Sequence, residues 1–150
     1  MNIIITGSSG FIANYLIQKL RKKNRIYECD LKESTKLTYI HDVREKLQTS
    51  QFPKKVDLVI NLAAIHREPG HQPNEYFDTN ILGAENITEF AEKVKCNRII
   101  FTSSISPYGI LNKLKDENTI PCPNTPYGSS KLAAEKIHIA WQNRDIKNRI

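Results

Sequence analysis

The chain has 150 residues, 39% hydrophobic and 25% charged, with a net charge of +6 at pH 7. That length suits one domain with a real core, and no run approaches the ~20 apolar residues of a membrane span. The basic cluster Lys19, Arg21, Lys22, Lys23 and Arg25 reads as the solvated end of a helix, where cations suit the dipole, and not as a nucleic-acid surface.

Strand and helix alternate along the chain. Residues 2–6 hold the β-branched run Ile3-Ile4-Ile5 and predict a buried parallel strand. The turn Gly7-Ser8-Ser9-Gly10 follows at once, and its glycines let the backbone bend tightly and approach a ligand closely. A helix over 11–23 carries Ile12, Tyr15, Leu16 and Leu20 on one face. Its free N–H groups and positive dipole end favour a diphosphate, and Ala13 is small enough for close packing on the strand. Arg25 to Cys29 predicts a second strand ending at Asp30, and Leu37 to Ile40 a third. Asp42-Val43-Arg44 and a brief helix to about Gln51 come next, then a fourth strand from Val56 to Asn61. A loop with Pro69, Gly70 and Pro73 leads to a long helix over 74–95, with Phe77, Ile81, Ala84, Ile87, Phe90, Ala91 and Val94 on its buried side. Arg98 to Ser103 predicts a fifth strand. An irregular stretch over 105–125 then leads to Thr125 as N-cap and Pro126 as the first residue of a last helix running to about Gln142. The pattern is that of a doubly wound α/β fold, whose ligands sit beyond the carboxyl ends of the strands.

Two polar constellations fall at those ends. Asp30 lies 23 positions after Gly7 (30 − 7), where a carboxylate can accept both hydroxyls of an adenosine ribose. It would repel a 2′-phosphate, so the cofactor reading is NAD, with NADP the lesser alternative that Lys32 keeps open. Tyr127 and Lys131 are four apart in the first turns of the last helix and share a face. An ammonium beside a phenol, together with an oxidised nicotinamide, stabilises the phenolate and makes it a usable base near neutrality. Ser104 ends the fifth strand, where its hydroxyl can meet the same substrate oxygen. Such a Tyr-x-x-x-Lys pair also occurs on ordinary solvated helix faces.

Several further segments carry a resemblance. They are Thr6-Gly7-Ser8-Ser9-Gly10-Phe11-Ile12-Ala13, Asp30-Leu31, Asp42-Val43-Arg44, Asn61-Leu62-Ala63-Ala64, Asn80-Ile81-Leu82-Gly83-Ala84-Glu85-Asn86, Phe101 to Gly109, and Pro126-Tyr127-Gly128-Ser129-Ser130-Lys131. In this order and spacing the chain resembles the extended short-chain dehydrogenases/reductases, specifically the NAD-dependent epimerase/dehydratase family acting on nucleotide sugars. The resemblance implies a Rossmann fold whose cofactor lies against Gly7, Ser9, Gly10, Phe11 and Ile12. It implies that Asp42 and Val43 meet the adenine side and that Leu62, Ala63 and Ala64 line the dinucleotide path. Asn80 is expected to be structural or cofactor-side. Ser104, Tyr127 and Lys131 are the expected catalytic residues, with Lys131 also on the nicotinamide ribose. A homodimer through the last two long helices is compatible with the family. The alternative reading is a non-catalytic dinucleotide-binding module.

Ala13 departs mildly from the family's usual last glycine. Family members also continue with a sixth strand and a substrate-binding portion about as long again. The chain stops at Arg149-Ile150, so residues 1–150 read as the NAD-binding domain alone, with the edge Ile99 to Thr102 expected to be unpaired. Met1 runs straight into the first strand, which predicts no leader. Cys29, Cys96 and Cys122 read as reduced thiols, and together these predict a cytoplasmic protein. His66, Arg67 and His71 form a loop after the fourth strand, and no carboxylate or thiol pattern there supports a metal. His41 and His138 look incidental.

Overall fold

The computed structural model describes residues 1–33, 38–110 and 114–150. Five strands, β1 (Asn2–Thr6), β2 (Arg25–Asp30), β3 (Thr38–Ile40), β4 (Leu58–Asn61) and β5 (Ile99–Phe101), pair in parallel in the order β3-β2-β1-β4-β5. The helices are α1 (Phe11–Leu20), α2 (Pro73–Lys93) and α3 (Pro126–Asn143). Ile3, Ile4 and Ile5 have no exposed surface, because both faces of β1 are covered. Ile3 and Ile5 point to one side and pack with Ala13 and Ile17 of α1. Ile4 points to the other and joins Ile87, Phe90 and Ala91 of α2 and Trp141 of α3. This strict alternation lets one strand serve two cores. The chain winds one way from β1 to β3 and the other way from β1 to β5. Crossovers therefore part at the carboxyl ends of β1 and β4 and leave a crevice there. This is the doubly wound Rossmann architecture.

Several element boundaries differ from the sequence reading. Helix α1 ends at Leu20, three residues early, because Asn24 Nδ2 donates to the Leu20 carbonyl at 2.9 Å and closes the helix in a turn. Its buried side is also rotated. Ala13 and Ile17 are buried, while Ile12 and Tyr15 are 50% and 59% exposed. Strand β4 starts at Leu58, because the Val56 N–H turns aside to the Val94 carbonyl. The expected helix before Gln51 is a single 3-10 turn over Thr49–Gln51. In α2, Phe77 is exposed, and Tyr76 and Asn80 occupy the buried side toward the crevice. The predicted start of the third strand at Leu37 lies outside the described residues. The outer edge of β5 is not wholly unpaired, since the Ile99 N–H donates to Ile150 O at 2.9 Å and the Ile150 N–H to Asn97 O at 2.8 Å. Among the described residues no helix is long and apolar enough to cross a membrane.

Candidate active site

The turn after β1 is built for backbone approach. Gly7 has φ +66°, and a Cβ there would lie 2.8 Å from the Ala63 nitrogen and 2.9 Å from Leu62 C. The chain's own loop after β4 already requires glycine at this point. Gly10 closes the turn with its N–H on Gly7 O at 3.0 Å and serves as N-cap of α1. No side chain caps α1, and no acidic residue sits in its first turn. Phe11 is 78% exposed and leads a positive helix end that opens onto the crevice. Free first-turn N–H groups at an uncapped, unbalanced helix start fit a diphosphate. The buried Ser8 hydroxyl, beneath the same turn, has no partner.

Asp30 stands beside that turn. Its carboxylate accepts from Ser9 N at 2.9 Å and from Lys32 N at 3.2 Å, which fixes the group and leaves further lone pairs for a ribose. Asp42 is held below the usual carboxylate range, chiefly by hydrogen bonds from the Arg44 side chain. Val43 is buried, its carbonyl accepting from Asn86 Nδ2 at 2.9 Å and its methyl group lying against Gly83, where a Cβ would come within 3.1 Å. On the other side of the crevice Leu62 N donates to Thr6 O at 3.2 Å and Ala63 N to Thr6 Oγ1 at 3.4 Å. Leu62, Ala63 and Ala64 are half-buried along it. Asn80 pins the next stretch, accepting from Ile65 N at 3.0 Å and donating to Ile65 O at 3.1 Å and to Ser130 Oγ at 2.8 Å. It thereby ties the loop after β4 to α2 and α3.

The end of β5 and the start of α3 are pressed together. A Cβ on Gly128 would lie 2.6 Å from Ser106 O, so only glycine admits this contact. Ser104 Oγ donates to Ser106 Oγ at 3.1 Å and accepts from Ser106 N at 3.2 Å. Tyr127 is half-buried, its ring 6.1 Å from that of Tyr76. The Tyr76 hydroxyl in turn donates to the Arg67 carbonyl. Lys131 is only 2% exposed; its Nζ donates to Thr102 O at 2.6 Å and lies 4.0 Å from the centre of the Phe101 ring. Burial lowers its pKa to about 8, with Glu135 acting in the opposite direction. One of its three N–H donors is thus used, and two remain.

Four residues given no role in the sequence analysis join this cluster. Ser103 Oγ donates to the Glu135 carboxylate, one turn beyond Lys131 on α3. The His138 ring lies 4.7 Å from Phe101, with Nε2 3.4 Å from Asn61 Nδ2. Asn61 Oδ1 accepts from Thr6 Oγ1 at 2.7 Å. His138 is therefore not incidental; burial, then Lys131, lowers its pKa to about 4. The signal available in the sequence was helical spacing, since 127, 131, 135 and 138 fall on one face of α3. His66 and Arg67 are exposed, and His71 Nδ1 lies 3.5 Å from Glu75. Among the described residues no three His, Cys, Asp or Glu side chains gather as a metal site.

A glycine turn after β1, a carboxylate at the end of β2 and a Ser…Tyr-x-x-x-Lys set, all at the ends of one parallel sheet, are the pattern of a short-chain dehydrogenase/reductase of the extended type. Residues 3–147 match the NAD dependent epimerase/dehydratase family, and the chain belongs to it. It is 34% identical, over 95% of its length and 44% of the relative's, to the N-acetyl-alpha-D-glucosaminyl-diphospho-ditrans,octacis-undecaprenol 4-epimerase of Escherichia coli O157:H7. A UDP-glucose 4-epimerase of Lactobacillus helveticus is 27% identical over 96% of the chain and 48% of the relative. The structure of MoeE5 in complex with UDP-glucose and NAD superposes with a TM-score of 0.85 at 28% identity, covering 97% of this chain and 50% of that one. The chain spans about half the length of the curated relatives it matches.

Proposed function

We propose that residues 1–150 are the NAD-binding domain of an enzyme that epimerises or dehydrates a sugar carried on a nucleotide diphosphate. The observation that carries this reading is the uncapped start of α1 with Asp30 beside it, at the same sheet end as Ser104, Tyr127 and Lys131. The first-turn N–H groups after Gly10, with Phe11 and Ile12, hold the diphosphate, and Asp30 takes the adenosine ribose. Asp42 and Val43 border the adenine, and Leu62, Ala63 and Ala64 line the path toward the nicotinamide, behind which Asn80 holds the loop. A bound NAD would supply the hydride acceptor and donor for chemistry at a sugar carbon. The Tyr127 phenolic oxygen accepts the proton of the sugar hydroxyl, and Ser104 Oγ donates a hydrogen bond to the same oxygen. The Lys131 ammonium favours the phenolate and has donors left for the nicotinamide ribose. A cytoplasmic location follows from the nucleotide-sugar chemistry. Leu82 and Ile139, 40% and 44% exposed on α2 and α3, support a homodimer through these helices.

Calorimetric titration separates the parts of this reading. NAD binds and NADP binds at least tenfold more weakly, because Asp30 repels the 2′-phosphate. Tyr127→Phe keeps NAD binding and lowers turnover of a UDP-sugar, followed by chromatography of the products, by about 10²–10⁴-fold. Absence of NAD binding would overturn the assignment; NAD binding without turnover in the protein that carries this domain would leave a binding module.

A further inference from the structure

Lys131 poses an electrostatic problem that the catalytic assignment does not solve. An ammonium at 2% exposure has lost nearly all its water, and among the described residues the oxygen it bonds is the uncharged Thr102 carbonyl. The ring of Phe101 adds a weak attraction. These neutral groups alone do not offset the cost of burying a charge. The ionisable side chains around Lys131 are on α3: Tyr127 one turn before it, a phenol and not a carboxylate, Glu135 one turn on, and His138, whose ring packs on Phe101. From β5 the facing groups are Phe101, Thr102 and Ser103, and from β4 Asn61; none of these is charged. From α2, Asn80 donates to Ser130, the residue before Lys131, and is also uncharged. His138 is neutral near pH 7, chiefly because it is buried and then because protonation would set a second cation against Lys131. Glu135 is therefore the counter-charge available, and it is not free to wander. The Ser103 hydroxyl ties it to the strand end between the residue that bonds Lys131 and the predicted catalytic Ser104.

We propose that Glu135 is a positioning residue: clamped by Ser103, it is the counter-charge that keeps buried Lys131 an ammonium at the end of β5. Four successive residues of that strand end then divide the work. Phe101 and Thr102 receive the lysine, Ser103 receives the glutamate, and Ser104 is left for substrate. The role assigned to Lys131 rests on the function proposed above, but the charge state of Lys131 is measurable without cofactor or sugar.

The test is a ¹³Cε NMR titration of the chain labelled in lysine, with the Lys131 signal assigned by its loss in Lys131→Arg. In the unsubstituted chain the midpoint is expected at about 8. Glu135→Gln, which still accepts from Ser103, lowers proton affinity about tenfold and moves the midpoint toward neutrality. Ser103→Ala moves it the same way by less, because the carboxylate remains but is released. A merely structural glutamate would leave the midpoint in place. Unchanged midpoints in both variants, or in Ser103→Ala alone if the glutamine variant loses its native amide spectrum, overturn the proposal. Failure to bind NAD would count against the proposed function and leave this titration intact.

Discussion

His138 shows how a residue without an obvious motif acquires consequences from its surroundings. Its Nδ1 has no partner and its pKa falls to about 4, first through burial and then through Lys131. In the unfolded chain it returns to about 6.5. Between these values the unfolded state binds a proton that the folded state refuses, so stability falls as pH drops from 6.5 toward 4. Asp42, Glu75, Glu89 and Asp116 are all held below their ordinary values, so their contributions are lost only under more acid conditions. The interval from pH 6.5 to 5 therefore isolates the histidine. His138→Asn flattens the slope of urea stability against pH in that interval; an unaltered slope would assign it to another group. The same scale explains Gly7. A glycine after a β-branched run is legible in sequence, but its necessity comes from Ala63, 56 positions away (63 − 7), which only the fold brings within 3 Å.

Helices α1 and α3 start in opposite ways. Helix α3 is closed, with Pro126 at its first position and Thr125 Oγ1 accepting from Gly128 N at 3.0 Å. Helix α1 begins at Gly10 with nothing from a side chain. The capped start belongs to the helix that carries Tyr127 and Lys131, and the open start to the helix for which we propose a diphosphate. Thr125→Ala removes the cap and lowers stability by about 1 kcal/mol in chemical denaturation. The circular-dichroism helix content stays nearly unchanged, because α3 is also held by its packing on α2. A loss far larger than this would mean that the cap organises the whole segment before α3. Thr125 and Pro126 were legible because capping is local chemistry. The rotated buried side of α1 was not, since Ile12 and Tyr15 suit a core by hydropathy and are turned outward by the close approach of Ala13 to β1.

At the scale of the molecule, β5 forms one edge of the sheet, and Ile100 on it is 53% exposed. Ile150 pairs only at the start of that edge, through Asn97 and Ile99. A short apolar edge with free backbone groups invites pairing with another copy. Sedimentation of the 150-residue chain is expected to show mass rising with concentration, and Ile100→Lys to reduce that rise while keeping the fold. Concentration-independent sedimentation of the unsubstituted chain would show that the edge is quiet.

The sequence by itself determined the alternation of elements, the parallel sheet and the glycine turn, and it placed Asp30, Ser104, Tyr127 and Lys131 at strand ends or on the last helix. Each is a matter of local period, turn chemistry or spacing along one helix. Tertiary structure alone decided which side of α1 is buried, why Gly7 can be nothing else, and that Ser103, Glu135, His138 and Asn61 surround the buried lysine. Those relations join residues far apart in the chain. They depend on distances across the sheet and on how completely water is excluded, and neither quantity is written in the order of the residues.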